Sequence, residues 1–179
     1  MTRAGVLWPI PLLVCLAACG GGEGSGAPQG SADTMSPAST LEQAAIDAGI
    51  VANASAVPPI GLYRNRHEAG TDSLCVVPGA AGELRFGLDA VFGEGIACQG
   101  SGAARRSGDK LILNFARSAC IVVADYDGDR VALPGVVDVE CRKLCTERGS
   151  LEGVSFPRVS RSESVARDAR DRNRSPLCS

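Results

Sequence analysis

Six cysteines, Cys75, Cys98, Cys120, Cys141, Cys145 and Cys178, are spread over residues 75–178 of a 179-residue chain. An even set at uneven spacing describes a disulfide framework, provided the chain is exported to where disulfides persist. A zinc site is the competing use. Structural zinc sites usually combine two close Cys-x2-4-Cys pairs, and here only Cys141-x-x-x-Cys145 is close, with His67 as the one histidine. Disulfides are the expected outcome. Six cysteines permit 15 pairings, and spacing does not choose among them.

The amino terminus supplies the export. Arg3 precedes an apolar run from Val6 to Leu16, and Leu16-Ala17-Ala18-Cys19 is followed by Gly20-Gly21-Gly22-Glu23-Gly24-Ser25. The run is too short to span a bilayer, which takes about 20 residues, and Pro9 and Pro11 interrupt it. A basic start, a short apolar core and small residues at the exit describe a secretory signal over residues 1–18. The Leu-Ala-Ala-Cys sequence resembles the lipobox of bacterial lipoproteins. That resemblance implies cleavage before Cys19, a lipid on its thiol, and anchoring to a membrane. Because Gly20 and not aspartate follows Cys19, it further implies the outer membrane, with the domain in the periplasm or at the cell surface. One acyl chain holds a protein only marginally, whereas two or three make release negligible.

Residues 19–37 have the Gly, Ser, Ala and Pro composition of a flexible linker. Ser39 with Glu42, or Thr40 with Gln43, fits a capping box, and Gly49 is placed to end the helix they would start. Residues 38–59 are therefore expected to form a short helix and a connection closing at Pro58-Pro59. From residue 60 to 157 the texture changes to short β runs broken by glycine. Leu84, Phe86 and Leu88 alternate with polar residues, and Leu111, Leu113 and Phe115 fall on one face of a second run. Asp127-Gly128 between two such runs signals a hairpin with a type I′ turn. Val136–Cys141 and Ser150–Phe156 supply two further strand candidates. Seven or eight short strands without helical interludes predict a mainly β domain, a small disulfide-linked antiparallel barrel or sandwich with short flanking helices.

Residues 158–179 form a charged tail. It carries six arginines against three acidic residues, while residues 19–157 carry 11 basic and 17 acidic side chains. An acidic body with few aromatics argues against nucleic acid, which needs a basic footprint and stacking platforms. Ser160 with Glu163, and the i,i+4 pairs Glu163–Arg167 and Asp168–Arg172, predict a solvated helix over 162–173. On it Arg167, Arg170 and Arg174 would form a basic stripe. Cys178 would be an unpaired thiol unless it bonds back to the body.

No spacing identifies an active site. Asp125-x-Asp127-x-Asp129 opens like a calcium loop, but such a loop needs glycine at its sixth position and glutamate at its twelfth, where Arg130 and Val136 stand. A hydrolase built on His67 lacks a Gly-x-Ser-x-Gly elbow. We therefore expect no enzyme activity and no cofactor or metal. The primary expectation is an envelope lipoprotein with a structural or partner-binding role. The segment Gln99-Gly100-Ser101-Gly102-Ala103-Ala104-Arg105, read as a polar loop, resembles the Ser-Gly-Ser-Gly-Ala-Arg loop of the membrane-bound inhibitors of c-type lysozyme, which are also small β-barrel lipoproteins. Here an alanine is inserted, and Arg106 stands where an aromatic usually follows. That resemblance implies Ser101 and Arg105 as contacts to a protein partner, lysozyme.

Overall fold

The computed structural model describes residues 37–50, 53 and 56–178. The expected signal at 1–18, the lipid attachment at Cys19 and the linker up to residue 36 lie outside the described residues.

Eight antiparallel strands close into a barrel in which each pairs with its neighbours in sequence and the last returns to the first. They are β1 (Gly61–His67), β2 (Gly70–Pro78), β3 (Leu84–Gly93), β4 (Ile96–Ser107), β5 (Lys110–Phe115), β6 (Ile121–Tyr126), β7 (Arg130–Ala132) and β8 (Ser155–Ser160). Helix α1 (Pro37–Asp47) precedes the barrel and helix α2 (Glu163–Arg167) follows it. The fold is a barrel, not a sandwich.

An eight-stranded barrel has an interior just wide enough for side chains to fill it. The inward positions predicted from alternation, Leu84, Phe86 and Leu88 on β3 and Leu111, Leu113 and Phe115 on β5, all pack on or into one core. Aromatics carry more of the filling than their scarcity suggests. Tyr63, Phe86, Phe115, Tyr126 and Phe156 are all buried there, and Phe86 meets Phe115 edge to face at 4.9 Å.

Both mouths are closed by chain. At one, Tyr63 donates to the Pro59 carbonyl at 2.7 Å, and Tyr126 donates toward the carbonyls of Val57 and Pro58. The Arg158 guanidinium lies over the Tyr63 ring, 4.9 Å from its centre, and donates to the carbonyls of Ile60 and Pro58 and to the Tyr126 hydroxyl. The Pro58-Pro59 connection is thus sewn across the barrel end. At the other mouth the connection from β7 to β8 folds back, held by disulfides Cys98–Cys145 and Cys120–Cys141. The third disulfide, Cys75–Cys178, fastens the tail to the outer face of β2 across a separation of 103 residues. Every disulfide joins a non-strand segment to the barrel wall or its edge.

Several expectations need correcting. Val136–Cys141 forms no strand. Asp138 caps a 3-10 segment at Val139–Leu144 by accepting from the Glu140 N–H, and the two disulfides draw Cys141 and Cys145 onto the mouth. Ser150–Phe156 becomes a strand only from Ser155, and a strand without clear alternation, β1, stands before the first one expected. The Asp127-Gly128 hairpin forms, but positive φ occurs at Gly128 and not at Asp127. Gly128 is thus the first central residue of the turn, as in type II′, and Asp127 Oδ1 accepts from the N–H groups of Asp129 and Arg130. Helix α1 starts at Pro37, ahead of Ser39 and Thr40, proline being well suited to a first turn. It ends as expected at Gly49, where φ is +70° and Ile50 N–H reaches the Ala45 carbonyl.

The tail departs most. Its helix spans only Glu163–Arg167, capped by Ser162 and not by Ser160. The Glu163–Arg167 pair forms at 2.8 Å, but Arg172 leaves Asp168 for Asp89 on β3. No arginine stripe exists, since Arg170 lies in a bridge to Pro176 and Arg174 has positive φ in a turn. Ala166, Ala169 and Leu177 instead pack with Leu62, Cys75 and Val77 in a second apolar cluster outside the barrel. Burial of that patch explains why the chain abandons helix after Arg167. A longer helix could not lay Leu177 and Cys178 onto β2.

Candidate functional site

With its interior filled and both mouths covered, the barrel presents its chemistry on the outer surface. The segment from Gln99 to Arg105 belongs to that surface, but not as a loop. It is the middle of β4, the longest strand. The glycines are there for close approach. A Cβ at residue 100 would meet the Phe115 ring at 2.5 Å, and one at 102 would meet the Asn114 carbonyl oxygen at 1.9 Å. Glycine in a strand interior often marks such an approach, and that was the signal to read.

The alternation of β4 turns Gly100, Gly102 and Ala104 inward and Ser101 and Arg105 outward. Ser101 pairs with Gly87 and lines a cleft of about 250 Å³ with Gln99, Arg117, Leu144 and Pro176. Four residues on, roughly 13 Å along a strand, Arg105 pairs with Ile112 and lines a separate depression of about 570 Å³ with Leu84, Asn114 and Ile121. The two residues share a face but not a pocket. Beside Arg105 the outer face of β5 and β6 carries Ile112, Ile121 and Val123, the last two about half exposed (53% and 49%).

The remaining candidates have ordinary partners. His67 Nε2 lies 3.1 Å from Asp72 Oδ1, a carboxylate that also accepts from the Val91 N–H. Of the Asp125-x-Asp127-x-Asp129 set, Asp125 pairs with Lys110 on the neighbouring strand and Asp127 caps its own turn. Asp129 pairs with Arg161, whose hydrogen bond holds that carboxyl below its usual range. Among the described residues no group of three or more His, Cys, Asp or Glu side chains is arranged to hold a metal ion.

A feature that sequence reasoning missed lies on the opposite side of the tail. Arg64 and Arg66 of β1, with Arg170 and Arg172 of the tail, line one depression of about 430 Å³ together with Ser73 and Asp89. Asp89 is 2% exposed, and burial raises its carboxyl above the usual range against the opposing pull of Arg172. Its Oδ2 accepts from the Arg172 N–H at 2.9 Å. Nothing local in the sequence couples residue 64 to residue 170. Packing of the tail on the wall, fastened at Cys178, does.

No family model matches the chain, and neither a curated protein nor a solved structure does.

Proposed function

We propose that this chain is a lipid-anchored protein of the bacterial cell envelope whose barrel is a rigid, non-enzymatic module that binds a protein partner on its outer surface. The observation that carries the reading is the disulfide arrangement. All six cysteines after residue 19 pair within the chain, and each bond pins a connection or tail that would otherwise open. Such a framework suits an oxidising compartment outside the cytoplasm. It agrees with the export and lipid attachment that Leu16-Ala17-Ala18-Cys19 implies. A filled interior leaves the wall as the working surface, and Ile121 and Val123 beside Arg105 give it exposed apolar contact area.

Mass spectrometry of the mature protein, reduced and unreduced, tests this at once. Acyl groups on Cys19 and six linked cysteines are expected. A mature product carrying Cys19→Ser that still partitions fully into detergent would end the lipid-anchor reading.

A second reading, inhibition of c-type lysozyme, is favoured by one observation. A small closed antiparallel barrel is the fold the resemblance at Gln99–Arg105 implies. Contact would then come from the outer face of β4, with Ser101 and Arg105 in neighbouring depressions, and not from a loop tip. Lysis of bacterial cell walls by hen lysozyme, followed with excess protein, decides it. Undiminished lysis removes the reading, and inhibition that survives Ser101→Ala with Arg105→Ala removes those residues from it.

A further inference from the structure

We propose that the depression between β1 and the C-terminal tail is a binding site for a phosphate group. Arg64 and Arg66 are two residues apart and so project from the same face of β1, and Arg170 and Arg172 reach the same depression from the tail. Thr71 and Ser73 of β2 contribute hydroxyl groups. The volume, about 430 Å³, is in the range of small-molecule sites and exceeds what a single ion fills.

The charges there do not cancel. Asp89 Oδ2 accepts from the Arg172 N–H at 2.9 Å, and its Oδ1, buried without a hydrogen-bond partner, lies 3.7 Å from the Arg172 guanidinium. Four arginines thus face two carboxylates, Asp89 and Asp171, in this lining. Asp171 accepts from the Gln99 side chain and from the N–H groups of Asn173 and Ser175, so its carboxylate serves the fold of the tail. Among the described residues Arg64, Arg66 and Arg170 have no acidic partner within 4 Å. The Arg64 Nε is moreover buried with no hydrogen-bond partner. A buried guanidinium donor left unmatched is costly unless something fills the role of acceptor. Three uncompensated guanidinium forks offer more donors than the two oxygens of a carboxylate can use. The three or four oxygens of a phosphate match them, and arginine suits that planar, two-pronged recognition. The tail residues are held beside β1 by the apolar cluster around Ala166, Ala169 and Leu177 and by the bond from Cys178 to Cys75 on β2. The site is a different depression from those at Ser101 and Arg105 and does not depend on the partner-binding reading.

The phosphate could belong to a soluble ester or to a lipid headgroup, and the test separates them. The oxidised full chain is titrated calorimetrically with inorganic phosphate and with glycerol 3-phosphate, and sedimented with vesicles of phosphatidylglycerol or of phosphatidylcholine. Salt-sensitive binding is expected in at least one arm. Saturable heat with the soluble phosphates identifies a free ester or ion, and a preference for phosphatidylglycerol vesicles without such heat identifies a headgroup. Arg64→Gln should weaken whichever binding is seen by about tenfold or more, a hydrogen bond to a charged group being at stake. Arg174→Gln, on the same tail but outside the depression, should change it by less than about twofold. Arg66→Gln and Arg170→Gln, at exposed positions, carry the same expectation should Arg64→Gln fail to fold. Absence of binding in every arm, or equal weakening by Arg174→Gln, overturns the site.

Discussion

The carbonyl oxygen of Leu177 lies so close over Gly87 that a Cβ at residue 87 would meet it at 1.7 Å. The tail therefore crosses the barrel wall at a point where only a residue without a side chain is accommodated. Gly87→Ala should lift the tail and lower stability by about 1–3 kcal/mol, as overpacking of a filled site usually does. Denaturant unfolding measures the loss. An unchanged midpoint would mean that the tail does not cross there.

Cys178→Ser releases the same tail without touching the wall. Loss of a disulfide closing a long loop should cost about 2–4 kcal/mol. Brief trypsin treatment should then cut after the arginines of the tail while the barrel stays intact, its other two disulfides being elsewhere. A tail as resistant as that of the parent protein would show that burial of Ala166, Ala169 and Leu177 holds it unaided.

The chain has two tyrosines, and both sit in the barrel. Burial raises each phenol above its usual value of 10.0, more strongly for Tyr63. The folded state thus keeps the phenolic protons where the unfolded state releases them. The tyrosines' contribution to stability is unchanged below pH 10 and falls as pH rises above it. Tyrosinate absorbance should stay flat well past pH 10 and then appear in one step with loss of near-ultraviolet ellipticity. A gradual rise near pH 10 in folded protein would contradict this burial.

Arg158 joins the closing connection to both tyrosines, with its side chain 3% exposed. Arg158→Met keeps much of the bulk but loses the bonds to Ile60, Pro58 and Tyr126. A loss of about 2–4 kcal/mol is expected, since the Ile60 carbonyl and the Tyr126 hydroxyl lose the Arg158 donor and the Pro58 carbonyl keeps only Tyr126. Thermal unfolding checks it, and a variant as stable as the parent would show that the connection needs no such stitching.

Much of the wall was legible in the chain. Alternation at Leu84–Leu88 and Leu111–Phe115, and the turn at Gly128, act over a few residues and report strands and a hairpin directly. Gly100 and Gly102 were misleading for the same reason. Locally they look like flexibility, and only Phe115 and Asn114 across the sheet show why a side chain is absent. Leu74-Cys75-Val76-Val77 reads as a β run in the chain, and its unbroken apolar character suits a strand buried on both faces. The partners that bury it, the core inside and the tail outside, are not written near it.

From the chain alone came the β character of the domain, the even set of cysteines and the elements at its edges, since each depends on neighbours a few bonds away. Closure of the barrel, the three pairings of sulfur, the strand at Ser101 and the meeting of Arg64 with Arg170 emerged only in three dimensions. Contacts spanning as many as 103 residues reflect which surfaces exclude water together, and no local pattern encodes that choice.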